Sequence, residues 1–163
     1  MNYHKLMNKL KEIFPFENYI QENSRGDAYQ TVFSIATQYL PKKSNVLDFG
    51  SGPCDKTAIV ALLGHNCIAY DDMQDQWHKE SDNAKRILEF SKKIGITYIN
   101  PLESDINSQD VIFDMIMLND VIEHLHESPK EILFSLICLS SKGLIIPCSD
   151  AIFLIHLSER TDI

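Results

Sequence analysis

Between Asp48 and Asp72 the chain carries two features able to do chemistry. One is a glycine turn with an acid before it, Asp48 followed by GSGPCDKT from Gly50 to Thr57; the other is a pair of acids, Asp71 and Asp72, closing the next apolar run. Three chemistries compete for the turn. A P-loop, G-x-x-x-x-G-K-[ST], cradles phosphate on backbone N–H groups, and Lys56 and Thr57 fit it. Asp55 stands where the second glycine belongs, and a carboxylate there competes for those N–H groups and repels phosphate. The dinucleotide turn, G-x-G-x-x-G, is met at Gly50 and Gly52 and also fails at Asp55, with a pyrophosphate to place beside Asp48. Asp71, about 20 residues past the turn, suits ribose hydroxyls, which any adenosine-type ligand carries.

The third chemistry makes use of the acids. S-Adenosylmethionine has no phosphate; it has a sulfonium and an ammonium beside its ribose and adenine. Asp48 then complements positive charge, Gly50 and Gly52 allow close backbone approach, and Asp71 takes the ribose. One ligand accounts for the whole set, with Asp55 left as the N-cap of the following helix.

Positioning these residues requires strands that end at them. Asn45–Phe49 is a short apolar strand leading into the turn, and Ala58, Ile59, Ala61, Leu62 and Leu63 suit a helix stopped by Gly64. CIAY leads to Asp71; a polar helix from Ser81 to Lys93 ends at Gly95; ITYI, FDMIMLN and GLIIPCS read as three further strands, with SPKEILFSLICLSS as a helix before the last. Ahead of all this, Leu6, Leu10, Ile13 and Phe14 share one helical face before Pro15, and Asp27 caps a helix that runs to Pro41. Alternating strands and helices predict an α/β fold, a doubly wound and mostly parallel sheet of about five strands with right-handed crossovers. Ligands of such sheets bind outside the carboxyl ends of the strands. The division expected is an N-terminal helical cap over residues 1–26 and a Rossmann-like domain over 27–163.

In order, VLDFGSGPCDKT, CIAYDD, FDMIMLNDVIEH and GLIIPCS resemble successive motifs of the class I, Rossmann-like S-adenosylmethionine-dependent methyltransferases, the third being similar to the small-molecule branch. The resemblance spans about Asp27 to Asp150. It implies that Asp48, Gly50, Ser51 and Gly52 line the methionine end, that Asp71 binds ribose with Asp72 beside it, and that Leu118 and Asn119 offer backbone after the fourth strand. It further implies that Arg25 reaches the methionine carboxylate and that Glu103 or Asp105 lies near the adenine. The activity implied is methyl transfer to a small-molecule or saccharide-type acceptor. His124 and His126 are the candidates for a general base, since histidine titrates near neutrality; methyl transfer can also run on proximity around an activated sulfonium, and polar residues on a turn after the strand explain them as well. Glu123 and Glu127 beside them invite a metal site, yet no metal is assigned. His65, His78 and Trp77 show no partner at this level, and Met115 and Met117 read as core.

Composition narrows the field. Fifteen Lys and Arg against 23 Asp and Glu give a formal net charge of −8, a field that repels nucleic acid and anionic lipid. Cys54, Cys67, Cys138 and Cys148 form no C-x-x-C pair and read as reduced core residues of a cytoplasmic protein. No apolar run approaches the roughly 20 residues that span a bilayer.

The resemblance also implies a helix and an antiparallel strand pair after the fifth strand, whereas thirteen residues follow Asp150. The reading is a chain truncated there, with the fifth strand an exposed edge open to a second copy or a partner. Two functions of different class are therefore carried: an active methyltransferase, and a module that binds the cofactor or a partner without turnover.

Overall fold

The computed structural model describes residues 1–23, 28–106, 111–122, 129–141, 143–148 and 151–156, the last two segments and Asn23 through their backbone alone. Its elements are α1 (Tyr3–Ile13), α2 (Tyr19–Asn23), α3 (Ala28–Tyr39), β1 (Asn45–Phe49), α4 (Asp55–Leu62), β2 (Asn66–Tyr70), α5 (Gln76–Lys79), α6 (Asn83–Ile94), β3 (Thr97–Ile99), β4 (Met115–Met117), α7 (Pro129–Leu139), β5 (Gly143–Cys148) and β6 (Ala151–His156). The strands lie in one sheet in the order β3-β2-β1-β4-β5-β6. This is the doubly wound α/β architecture that the alternation of elements predicts.

Strand β1 sits at the centre and alternates between two cores because successive side chains point to opposite faces. Val46 packs on one side with Cys67, Ala69, Met115 and Met117, under α1, α3, α4 and α6. Leu47 packs on the other with Ile116, Leu118 and Ile99, under α7. The register enforces this sorting, with Val46 opposite both Cys67 and Met115, and Leu47 opposite both Ile68 and Ile116. Burial on both faces is why the strands read as nearly continuous apolar runs. Met115 and Met117 are core, as their pattern predicts.

The helices start and stop for local reasons. Asn2 caps α1 by accepting the Lys5 N–H at 2.9 Å, and the chain turns extended at Phe14 before Pro15. Leu6 and Leu10 on its inner face are fully buried, each contributing about 1.5–3 kcal/mol of transfer free energy. Gly95, at φ 81°, ends α6, the left-handed conformation glycine adopts without a Cβ penalty. Asp27, expected to cap α3, lies outside the described residues.

Two expectations are corrected. The sheet has six strands rather than about five, because β6 runs antiparallel along β5 from the pair Gly143↔His156 to Cys148↔Ala151. The apolar run AIFLIH follows β5 closely enough for hairpin pairing, which satisfies backbone groups that a bare edge would expose. The far side of β5 is therefore occupied, and the expected open fifth-strand edge is absent among the described residues. Five strands, β3-β2-β1-β4-β5, run parallel, and β6 alone is antiparallel.

Candidate active site

The carboxyl ends of β1, β2 and β4 open into a cleft of about 550 Å³. Its floor is Asp48, the fourth residue of β1. Asp48 is 1% exposed; its Oδ2 accepts from the Thr57 hydroxyl at 2.6 Å and its Oδ1 from the Asn119 amide at 3.3 Å. Burial pushes the Asp48 carboxyl up to about 6, against the Thr57 hydrogen bond, the Lys56 charge and the Asn119 hydrogen bond, which all favour its ionised form. Asp48 thus ties β1 to the first turn of α4 and to the end of β4.

The glycine turn crosses the end of β2. Gly50 N–H donates to the Tyr70 carbonyl at 2.8 Å and Gly52 N–H to Asp71 Oδ2 at 2.8 Å. Both glycines hold positive φ, 71° and 50°. At Gly50 a Cβ would also stand 2.5 Å from Val121 Cγ2, while around Gly52 there is open space. The turn ends in Cys54, at φ 63° with no side-chain cap, so the helix begins on a left-handed residue. Asp55, expected as the N-cap, is instead the first residue of α4. Its Oδ2 accepts from the buried Tyr29 hydroxyl of α3, a long-range partner that no local pattern reveals.

At the end of β2, Asp71 accepts from the N–H groups of Gly52 and Met73, each at 2.8 Å, and Asp72 accepts from Gln74 N–H at 2.9 Å. The remaining walls come from Tyr19, Pro53, Asp55, Lys56, Asp75, Asn119, Asp120 and Val121. Lys56 reaches across to Asp120 at 3.1 Å. Burial and then the charges of Asp55, Asp120 and Asp75 hold the Tyr19 hydroxyl protonated far above neutral pH. Asp75 also caps α5 and binds Nδ1 of the buried His78; Trp77 packs on Phe16 and Tyr19. These contacts are the partners missing for His78 and Trp77 at the sequence level.

Of the residues read from sequence, the cleft gathers Asp48, Gly50, Ser51, Gly52, Asp71, Asp72 and Asn119. Leu118 is fully buried beneath it. Glu103 and Asp105 sit after β3 and are not among its lining residues. Arg25, His124 and His126 lie outside the described residues. The P-loop-like pattern singles out Lys56, but nothing local in the sequence announces Asp120 or the pair the two form.

Comparison with solved structures decides the architecture. The chain superposes on an S-adenosylmethionine-dependent methyltransferase from Aquifex aeolicus with TM-score 0.55 at 16% identity, over 86% of this chain and 71% of that one. It shares the Rossmann-like α/β fold of that protein. A magnesium protoporphyrin IX methyltransferase from Synechocystis, solved with S-adenosylhomocysteine bound, gives 0.55 at 18% identity over 88% and 65% of the two chains. A cyclopropane-fatty-acyl-phospholipid synthase-like protein from Lactobacillus casei gives 0.59 at 13%, over 88% and 57%. The chain thus spans less than two thirds of the last two proteins. No protein-family model and no curated protein matches the sequence. No helix among the described residues is long and apolar enough to cross a membrane.

Proposed function

We propose that the chain binds S-adenosylmethionine in the cleft at the ends of β1, β2 and β4 and transfers its methyl group to a small-molecule or saccharide-type acceptor. The observation that carries this reading is the charge of the cleft: six aspartates, 48, 55, 71, 72, 75 and 120, line it with one lysine. A phosphate ligand would meet a lining in which carboxylates outnumber cations six to one, whereas a ligand with a sulfonium and an ammonium gains from each carboxylate.

The chain's own residues fit that guest. The glycines admit close approach, and Gly50 has no room for a side chain. Asn119 Oδ1 is buried with no partner among the described residues, and a buried acceptor calls for a donor. Asp71, though held by two N–H groups, keeps lone pairs for ribose hydroxyls, because each carboxylate oxygen accepts twice. Asp48, each of whose oxygens accepts one hydrogen bond within the protein, fixes Thr57 and Asn119 and contributes negative charge to the floor, which complements the positive end of the guest. When bound, the cofactor supplies a methyl group already activated on sulfur, and the residues' work is to orient it and exclude water. Cys54 and Cys67 are buried and free, whereas Cys138, expected in the core, is free and exposed; the two buried thiols accord with a cytoplasmic site of action.

Calorimetric titration with S-adenosylmethionine and S-adenosylhomocysteine tests the reading: micromolar binding of both is expected, with no binding of ATP or NAD. Absence of cofactor binding overturns it. Transfer of a labelled methyl group to acceptors in an extract, above an Asp48→Ala control, then separates an enzyme from a module that binds without turnover.

A further inference from the structure

Lys56 is, among the described residues, the one cation lining a cleft of carboxylates. The proposed guest has one anion of its own, the α-carboxylate of its methionine end. Placed against any other charged residue described in the lining, that carboxylate would face an aspartate; Arg25, to which the resemblance assigns it, lies outside the described residues. Lys56 is the second residue of α4, directly past the glycines that admit the methionine end. Its side chain is 19% exposed and its Nζ stands 3.1 Å from Asp120 Oδ2. An ammonium has three donors, and this contact uses one. Burial works against the charge of Lys56, but Asp55, Asp120 and Asp48 outweigh it and hold the group protonated.

A second observation locates the other half of an amino-acid group. Asn119 is 7% exposed, and its Nδ2 donates to Asp48 Oδ1, which fixes the orientation of the amide. Its Oδ1 is left buried without a partner among the described residues. An acceptor at Asn119 and a cation at Lys56, itself paired to the adjacent Asp120, present one zwitterionic group with both complements.

Resting on the cofactor reading above, we propose that Lys56 is the counter-ion of the α-carboxylate of S-adenosylmethionine and positions the methionine end of the cofactor. Asp120 holds the Lys56 side chain in place across the cleft, so that the cation is preorganised before the ligand arrives.

The test compares two probes by calorimetry: S-adenosylhomocysteine, which carries the carboxylate, and 5′-methylthioadenosine, which lacks the amino-acid group. Lys56→Met is expected to weaken S-adenosylhomocysteine by roughly 10- to 100-fold, the size of one charge-assisted hydrogen bond, and to leave 5′-methylthioadenosine unchanged. Lys56→Arg, which keeps the charge, is expected to recover most of the loss. Undiminished S-adenosylhomocysteine binding in Lys56→Met, or equal weakening of both probes, overturns the role of Lys56 while leaving the cofactor reading intact. A native chain that binds neither probe overturns both.

Discussion

The two halves of the cleft solve the same problem in opposite ways. At the end of β1 the acid is sealed: Asp48 is buried, its oxygens are taken by side chains from α4 and the loop after β4, and Gly50 is pressed against Val121. At the end of β2 the acids are open: Asp71 is partly exposed, Asp72 exposed, both held by backbone N–H groups, and Gly52 has free space around it. The first half is a junction where three elements meet and the second a surface that can take hydroxyls. Two acids at successive strand ends therefore do different work, one setting the field and geometry of the floor and the other available to the guest.

The largest effect separating the halves is expected from Gly50→Ala. A side chain at φ 71° costs roughly 1–2 kcal/mol, and forcing it against Val121 adds overpacking of about 1–3 kcal/mol. A loss of about 3–4 kcal/mol in denaturant unfolding is the expected outcome; a loss no greater than that of Gly52→Ala would erase the distinction.

Asp48→Asn comes next and has a sign that depends on pH. The folded protein holds the Asp48 carboxyl at about 6 against an ordinary 3.8, so ionising it costs stability progressively as pH rises from about 4 to 6, and in full above that. Asparagine keeps the shape and can still serve Thr57 and Asn119. The variant is expected to gain about 2–3 kcal/mol at pH 8 and nothing at pH 4, read from melting curves. The same charge favours a cationic ligand, so S-adenosylmethionine binding to the native chain should strengthen as pH rises through about 6, and this dependence should vanish in the variant. A gain that is constant with pH would show that Asp48 is not the titrating group.

Gly52→Ala is expected to be the mildest. Only the conformational cost at φ 50° applies, roughly 1–2 kcal/mol, since no atom lies within 4 Å of the added methyl. Its thermal shift should be a fraction of that at Gly50, and a collapse of the fold would overturn the picture of an open β2 half.

The parts of the site legible in the sequence are those fixed by short-range rules. The glycines need their positive φ, the acids fall where apolar runs stop, and strand period sorts Val46 from Leu47. What stayed hidden depends on pairings across the fold. Asp55 looks like a cap by position, yet its partner is Tyr29 of another helix. The contact between Lys56 and Asp120 spans 64 residues, and that between Asn119 and Asp48 spans 71. Tyr19 joins the wall because α1 and α2 fold over the first core, where Phe14 and Phe90 also meet. The thirteen residues after Asp150 suffice for one strand or a short helix, and the pairing decides for the strand, because an apolar run close after a strand has the simplest of partners, the strand itself.

The strand order has a consequence for how the site comes into being. β1 and β2 form their half of the cleft from neighbouring stretches of chain, but β4 reaches its place beside β1 only after the intervening β2, α5, α6 and β3 have been laid down. Closing so long a loop is paid in chain entropy before the new contacts repay it. Asn119, Asp120 and Val121 all arrive with β4, so a chain folded only as far as β3 holds Asp71 and Asp72 without the floor's clamp or the bridge to Lys56. A guest that needs both halves binds only once β4 is seated beside β1, and by mass action it draws that strand into place.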